Sequence, residues 1–374
     1  MEDWSAHQLF QAASASLDRS TATALSAYAR TLQSAKLPVV FSLRHLSGIV
    51  GVSYKMLRES VRRKREAANY RIYRIAKRDG TFRHIHEVTS DLFRVQTFLA
   101  HEILAKVSPH PAAFAFHAGG GIKKCAAQHC GARWIFQYDL SNFFYSINEA
   151  DVYRLFCHLG YRPLLAFEFA RLSTTIRMPP YMAGIINMVS PDHRGMPYAD
   201  ACNKLGVLPQ GAPSSPAISN LVAKDLDDRL TKVAVHYKLV YTRYADDITI
   251  SAMDVGKGRS RGEIHRSVIH AIRKSGFVEN ESKTRIAGPG SKKLVLGLLV
   301  DGPQPRLSRQ MYERVDTRLY ACRKFGLEAT ADFYKFDSAY GFYNHLAGLL
   351  SFIKDVDPLS WNSFAPRFKE IPPP

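Results

Sequence analysis

Three aspartates at two places in the chain are candidates for metal-assisted phosphoryl transfer. Asp139 directly follows the apolar run from Trp134 to Tyr138, and Asp246 and Asp247 stand together further along. Phosphodiester synthesis needs charge neutralisation at the attacking hydroxyl, at the pentavalent phosphorus and at the leaving pyrophosphate, and two Mg²⁺ ions roughly 3.5–4 Å apart serve all three. Mg²⁺ prefers hard oxygen ligands in octahedral geometry, so the carboxylates must converge from rigid elements. A strand end and a hairpin of the same sheet meet that need.

The flanking residues distinguish this acidic pair from a second one. Strand-type residues occupy 238–243 before the pair and 248–252 after it, which predicts two strands joined by a sharp turn. The second pair, Asp227 and Asp228, lies within the helical pattern of residues 216–233. We expect a solvated helix face for that second pair and a metal site for the first.

The charge balance favours a polyanionic partner. The 374 residues include 51 Lys plus Arg against 33 Asp plus Glu, a formal net charge of +18. Such an excess of basic residues is typical of proteins that bind the phosphates of nucleic acid, with strong salt dependence. An anionic membrane is the alternative, but the basic residues are scattered and no apolar run reaches the ~18 residues of a membrane span. No secretory signal is visible, so the expected location is the cytoplasm.

The cysteines show no pattern of a disulfide framework. Their number, five, is odd, and no Cys-x-x-Cys pair occurs, so reduced thiols are expected. Two of them lie close to two histidines, in the order His117, Cys125, His129 and Cys130. Zinc is the alternative interpretation there, but the spacing matches no strong zinc signature, and packing with hydrogen bonding is favoured.

Helical and strand patterns alternate along the chain and predict an α+β fold. The predicted helices occupy 1–40 (one or two helices), 42–64, 89–107, 152–159, 167–174, 216–233, 263–275 and 306–353. The predicted strands occupy 134–138, 238–243, 248–252 and 293–300, with a hairpin over 70–86 that turns at Asp79-Gly80. This order suggests an antiparallel sheet covered by helices on one face. Residues 177–206 predict an irregular loop.

Three segments, in this order and spacing, resemble the catalytic motifs of reverse transcriptases. Tyr244-Ala245-Asp246-Asp247 matches the Tyr-x-Asp-Asp box. The segment from Asp139 to Ile147 resembles the first catalytic motif, and the segment from Leu208 to Pro216 is similar to the Leu-Pro-Gln-Gly motif of the bacterial enzymes. The resemblance runs from about residue 70 to residue 300.

The resemblance implies a right-hand polymerase with fingers, palm and thumb around an antiparallel palm sheet. The implied parts are an N-terminal helical extension (1–60), fingers (61–133), a palm (134–305) with a fingers insertion at about 153–205, and a helical thumb (306–374).

The same resemblance assigns catalytic roles residue by residue. Asp139, Asp246 and Asp247 would bind two Mg²⁺ ions, with the backbone carbonyl of Leu140 as a further ligand. Lys283 follows Asn280-Glu281-Ser282, which is similar to the motif whose lysine is proposed to protonate pyrophosphate.

Other matched positions would bind the incoming nucleotide. Gln210 would lie under it, and Arg83, together with Lys77 or Arg78, would grip its triphosphate, a role that suits the guanidinium fork.

Phe144 matches the steric gate that would exclude a ribose 2′-hydroxyl and so favour deoxynucleotides. Core packing is the alternative for Phe144, and Phe143 or Tyr145 could fill that structural role instead.

The resemblance also places contacts to the primer and template. The segment from Val295 to Leu298, including Gly297, resembles the primer-grip hairpin. In the basic C-terminal third, Arg309, Arg314 and Arg318 would contact the duplex backbone, and a helical bundle with an ordinary solvated face is the alternative.

A second basic run, from Arg62 to Arg65, lies in the N-terminal part of the chain. A solvated helix face is its expected role, with phosphate contact as the alternative.

The most similar group is the retron type of bacterial reverse transcriptase. Residues 116–122 and 126–129 resemble its region before the first catalytic motif, where Cys125 replaces the Asn of Asn-Ala-x-x-His. Leu296 replaces the Thr of a second signature, Val-Thr-Gly. A retron enzyme would use dNTPs to copy part of its own structured non-coding RNA from a guanosine 2′-hydroxyl into branched multicopy single-stranded DNA (msDNA). Such systems act in phage defence beside a separate effector protein.

Three other functions remain as alternatives. Another bacterial defence reverse transcriptase is one, and a group II intron-like enzyme is another, although little room for a maturase region is expected before Pro374. A non-catalytic RNA-binding scaffold on a polymerase fold is the third, but the intact set of Asp139, Asp246, Asp247 and Gln210 argues against it.

Overall fold

The described part of the chain forms two compact units, each assembled from several stretches of sequence. The computed structural model describes residues 4–76, 80, 82–179, 205–255 and 261–374. The first unit comprises 1–117, 140–230 and 269–279, and the second comprises 118–139, 231–268 and 280–374. The boundaries of fingers, palm and thumb stay a prediction. Within the described residues, no helix has both the length and the apolar character to cross a membrane.

The structure contains sixteen described α-helices. In chain order they are α1 (Ala6–Ser14), α2 (Arg19–Ser34), α3 (Leu43–Val50), α4 (Tyr54–Val61), α5 (Glu66–Asn69), α6 (Ser90–Phe98), α7 (Ile122–Ala127), α8 (Glu149–His158), α9 (Pro163–Ser173), α10 (Ser215–Val222), α11 (Lys224–Tyr237), α12 (Arg261–Lys274), α13 (Arg309–Phe325), α14 (Leu327–Phe333), α15 (Ala339–Val356) and α16 (Pro358–Lys369).

The described strands are short and pair antiparallel throughout. They are β1 (Tyr70–Ala76), β2 (Phe82–Val88), β3 (Trp134–Asp139), β4 (Val240–Tyr244), β5 (Asp247–Ala252), β6 (Arg285–Ala287), β7 (Leu294–Val295) and β8 (Leu298–Leu299). The predicted hairpin and the predicted antiparallel sheet are therefore confirmed.

In the first unit, local backbone geometry divides several of the predicted helices. The predicted helix over 42–64 is two helices, because Gly51 takes a left-handed φ of 65° and ends α3. The predicted helix over 89–107 is regular only to Phe98 and continues as a π-helical turn, Leu99–Ile103. The helices α8 and α9 pack on each other through aromatic rings, with the centroids of Phe156 and Phe169 5.1 Å apart.

The predicted helix over 216–233 is also two helices, α10 and α11, which are separated at Ala223. The prediction that Asp227 and Asp228 both lie on a solvated helix face is correct for Asp228 and wrong for Asp227. Asp228 has a side chain that is 54% exposed, but Asp227 is fully buried. A helix position between apolar neighbours can face the interior even when its residue is charged.

The second unit is built on a four-stranded sheet with strand order β4-β5-β3-β6. A separate hairpin, β7–β8, replaces the single strand predicted over 293–300. Leu296 and Gly297 form its two-residue turn with φ of 49° and 83°, which is the sign pattern of a type I′ turn and explains why glycine stands at the second position.

One apolar core joins β3, this hairpin and the C-terminal helices of the second unit. Ile135 of β3 and Leu298 of β8 lie in the same buried cluster as Leu319 of α13 and Phe342 of α15. The hairpin is therefore held by the helical bundle that follows it in sequence.

Candidate active site

The three predicted metal-binding aspartates meet at one end of the sheet in the second unit. Strands β3 and β5 pair so that Asp139 lies directly opposite Asp247. Asp246 lies in the two-residue turn between β4 and β5, because Tyr244 pairs with Asp247. The turn begins at Ala245 with a φ of 55°, a conformation that non-glycine residues rarely adopt.

A buried arginine supports this turn and was missed by the sequence analysis. The side chain of Arg243 is fully buried, and its Nη1 donates a hydrogen bond of 3.1 Å to the carbonyl of Ala245. The bond fixes the turn just before Asp246. An arginine within an apolar strand is the only local sign of such a role.

The electrostatics of the aspartates fit a divalent cation. Limited solvation of its carboxyl group, together with the negative charges of Asp246 and Asp139, raises the pKa of Asp247. The positive charge of Lys283 opposes this shift, and the resulting pKa is about 6. Mutual repulsion of hard carboxylate oxygens is relieved when a cation binds between them.

No closed metal cage forms among the described residues, where no group of three or more His, Cys, Asp or Glu side chains is arranged to hold an ion by itself.

Lys283 lies beside Asp139 of the acidic centre. Its Nζ is 3.1 and 3.0 Å from the two carboxylate oxygens of Asp139. The main chain supports this placement, because the amide of Asn280 donates to the carbonyl of Asp139 at 2.7 Å. The lysine side chain is 53% exposed, so it has room to move.

A buried cluster of uncharged polar groups holds the two strands that carry Asp246 and Asp247. The His129 ring contacts Ser251 Oγ through Nδ1 and Thr242 Oγ1 through Nε2, both at 2.7 Å. Cys125 Sγ donates to the same Thr242 hydroxyl at 3.2 Å. We call these four residues the His129 cluster. They hydrogen-bond as the packing interpretation of this segment predicted.

Burial keeps the His129 cluster neutral. It lowers the pKa of His129 to about 4 and raises the pKa of Cys125 to about 11. Near neutral pH the imidazole therefore carries one ring proton, and it can donate to one hydroxyl and accept from the other.

The described residues among the predicted nucleotide-binding set lie in the first unit. Phe144 is half-buried, whereas Phe143 and Tyr145 on either side are buried. The ring of Phe144 lies 5.6 Å from that of Phe143 and 6.3 Å from that of Phe116. Of these three consecutive aromatic residues, Phe144 is thus the one with an accessible ring.

Gln210 is anchored through its backbone. Its carbonyl accepts a hydrogen bond of 2.8 Å from the amide of His86 on β2, and the carbonyl of Pro209 accepts one of 2.6 Å from Ser215 Oγ. These bonds fix the loop and leave the Gln210 side chain only partly buried.

Arg83 is exposed on β2, opposite Ile75. Lys77 and Arg78, predicted to act with it, lie outside the described residues. Leu140 forms a bridge to Glu279 within the first unit, and its role as a metal ligand stays a prediction.

The predicted primer and template contacts differ in exposure. Gly297 forms the turn of β7–β8, and Arg309 and Arg314 are exposed on α13. Arg318 instead turns into the helical bundle, where it donates to His345 at 2.6 Å and lies 4.9 Å from the Tyr334 ring. Arg318 is half-buried, and its role as a duplex contact stays a prediction.

Comparison with known proteins agrees with this geometry. The family described as "Reverse transcriptase (RNA-dependent DNA polymerase)" matches residues 75–300. The chain is 29% identical over 331 residues to Retron Ec86 reverse transcriptase of Escherichia coli, covering 88% of this chain and 89% of that protein. It is 32% identical over 336 residues to Retron Mx65 reverse transcriptase of Myxococcus xanthus, covering 89% and 72% respectively.

Proposed function

Because this chain belongs to the reverse transcriptase family and is an RNA-directed DNA polymerase with the right-hand fold, we propose that it reverse transcribes part of a cognate structured non-coding RNA. The proposed product is branched msDNA that starts from a guanosine 2′-hydroxyl. Similarity to proteins named as retron reverse transcriptases, over most of the chain, supports this proposal.

The proposed biological setting is antiviral defence in the cytoplasm, where dNTPs and RNA templates are available. A separate effector protein is the proposed partner. The net charge of +18 supports a polyanionic ligand such as the RNA and its cDNA.

Members of this family use divalent metal ions, and we propose two Mg²⁺ ions here. When bound, they would neutralise the negative charge that develops on the reacting oxygens. Asp139, Asp246 and Asp247 would hold them, with the carbonyl of Leu140 as a further ligand. Lys283 would release Asp139 and give its proton to the leaving pyrophosphate.

The remaining roles concern the nucleotide and the duplex. Phe144 would exclude a 2′-hydroxyl, Gln210 would lie under the incoming base, and Arg83 would bind the triphosphate. Primer and template would be contacted at two exposed sites. One is Gly297 of the hairpin, and the other is formed by Arg309 and Arg314 on α13. The accessible ring of Phe144 and the anchored loop of Gln210 support these assignments.

The observation that carries the proposal is the register that sets Asp139 opposite Asp247 beside the turn holding Asp246. Its test is cDNA synthesis by Asp246→Asn, with Asp228→Asn as the matched control from the other acidic pair. We expect the rate of cDNA synthesis by Asp246→Asn to fall at least about a thousandfold, which corresponds to about 4 kcal/mol in the activation free energy. The control should match wild type. Equal cDNA from Asp246→Asn and wild type would show that this site is not the active site.

The product provides a second test. Nucleic acid that copurifies with the protein should contain a 2′–5′ branch joining RNA to DNA, which debranching enzyme would separate into two species. Long repetitive or untemplated DNA would contradict the retron function while leaving the polymerase intact.

A further inference from the structure

One arginine of the basic run Arg62–Arg65 does not face solvent. The side chain of Arg63 is only 8% exposed, whereas Arg62 and Lys64 beside it are exposed. The expected solvated face is therefore wrong for Arg63, and phosphate contact is excluded for it by burial. A left-handed φ of 60° at Arg63 turns its side chain away from the face of its neighbours.

Arg63 is the centre of a buried ion cluster within the first unit. Its Nη2 donates to Glu149 Oε2 at 2.6 Å and to Thr174 Oγ1 at 2.7 Å, and its Nη1 donates to Glu66 Oε1 at 3.0 Å. The fully buried Glu149 also pairs with Arg171, whose side chain is 7% exposed. We call Arg63, Glu66, Glu149 and Arg171 the Arg63 cluster.

The charges of the Arg63 cluster balance. Burial alone would lower the pKa of Arg63, but the nearby carboxylates of Glu149 and Glu66 outweigh it, so the pKa is raised. Two guanidinium groups and two carboxylates thus offset one another's charge away from water, a state that holds only while every partner is present.

The Arg63 cluster is hydrogen-bonded to the backbone at Gly206. Glu149 Oε2 accepts a hydrogen bond of 3.0 Å from the amide of Gly206, and the amide of Glu149 donates to the carbonyl of Gly206 at 2.8 Å. The Arg63 guanidinium occupies the space where a side chain at 206 would begin, because a Cβ built there would collide with Nη2. Glycine is therefore required at 206 by the close approach of Arg63 and of Thr174 Oγ1, which would lie 2.7 Å from that Cβ.

The segment that starts at Gly206 leads directly to the proposed nucleotide-binding residues. Val207 exchanges two hydrogen bonds of 2.9 Å with Thr175, and the amide of Leu208 donates to the carbonyl of Ile147 at 3.0 Å. Leu208 lies two residues before Gln210, and Ile147 lies three residues after Phe144.

We propose that Arg63 is a positioning residue for the incoming nucleotide. Through Glu149 and Gly206 it fixes the two segments that carry Gln210 and Phe144, without touching the nucleotide itself. This inference rests on the nucleotide-binding roles in the proposed function, since it extends them to the residue that sets their placement.

The test is steady-state kinetics of Arg63→Met on a primed RNA template, with Arg62→Met as the matched control. We expect the KM for dNTP to rise about tenfold and discrimination against ribonucleotides to fall, because sub-ångström misplacement of binding groups is costly. The kcat and the Kd for the primed RNA should stay within about threefold of wild type, since the metal site and the duplex contacts are untouched. Arg62→Met, at an exposed site, should leave the KM for dNTP unchanged. Phe144→Ala, which removes the proposed steric gate itself, serves as the reference for the loss of discrimination against ribonucleotides.

A milder variant covers the case in which Arg63→Met does not fold. Thr174→Val removes one hydroxyl acceptor from Arg63 and keeps the shape of the side chain, so we expect the KM for dNTP to rise about threefold. Gly206→Ala should raise the KM in wild type and add less in an Arg63→Ala background, because the collision with the guanidinium is then removed and only the one with Thr174 Oγ1 remains.

Failure of this inference is distinguishable from failure of the proposed function. If wild type makes cDNA and the folded Arg63→Met and Thr174→Val variants keep its KM and its ribonucleotide discrimination while melting at lower temperature, the Arg63 cluster is only structural and the inference is overturned. If wild type makes no cDNA from dNTPs, the proposed function fails first.

Discussion

The two units each bury a polar cluster close in structure to proposed functional residues, and the clusters are built from opposite chemistry. The Arg63 cluster of the first unit consists of ionised groups in matched pairs. The His129 cluster of the second unit consists of hydroxyls, a thiol and an imidazole, and burial keeps the imidazole and the thiol uncharged.

The difference follows from the neighbours of each cluster. The charge of Asp247 already contributes to raising the pKa of Cys125, so the His129 cluster lies within electrostatic range of the acidic centre. An ionised group there would compete with the proposed metal ions for the carboxylates, whereas neutral hydrogen bonds brace the strands without adding charge. The first unit can use strong ion pairs because their charges cancel within the cluster.

The largest expected effect separates activity from stability at the acidic centre. Asp247→Asn should lower cDNA synthesis at least about a thousandfold, because a proposed metal ligand is lost. The metal-free variant should melt at the same temperature as wild type or higher at pH 7.5. A carboxyl group whose pKa is raised by folding costs stability above that pKa, and asparagine removes the cost. Thermal melts in EDTA beside cDNA assays provide the measurement, and a melting temperature several degrees below wild type would show that Asp247 is structural.

Removing one charge from the Arg63 cluster should have the opposite effect on stability. Glu149→Ala leaves Arg63 and Arg171 buried without their shared partner, so we expect a loss of about 3–5 kcal/mol in the free energy of unfolding. The control is Glu59→Ala, which breaks a half-exposed pair with Arg65 and should cost at most about 1 kcal/mol. Urea denaturation of both variants measures the difference, and equal midpoints would remove the distinction between the clusters.

Local patterns were sufficient to predict the acidic centre. Alternating strand residues around Asp246 and Asp247, and the apolar run before Asp139, fix strand ends through interactions between near neighbours in sequence. The predicted strands β3, β4 and β5 therefore agree with the structure to within one or two residues.

The burial of charged residues could not be predicted in the same way. Arg63 pairs with Glu149, which is 86 residues away in the sequence. Arg318 pairs with His345, which is 27 residues away. Neither partner can therefore be predicted from local periodicity. The isolated run of basic residues around Arg63 looks solvated unless its distant partners are known. Asp227 was misjudged for the same reason, since its burial depends on tertiary packing.

The His129 cluster should give a smaller effect with a distinct dependence on pH. His129→Leu leaves the hydroxyls of Thr242 and Ser251 without the imidazole, and we expect a loss of about 2–3 kcal/mol at pH 7.5. Folding lowers the pKa of His129 from 6.5 to about 4, so the folded wild type binds fewer protons than the unfolded chain in this range. Its stability should therefore fall as the pH drops from 6.5 towards 4. The leucine variant should lack this component, and the two unfolding free energies should converge at acidic pH. If urea denaturation gives a constant difference between the two proteins at pH 7.5 and pH 5, His129 is not held neutral, and the contrast between a charged and an uncharged cluster fails.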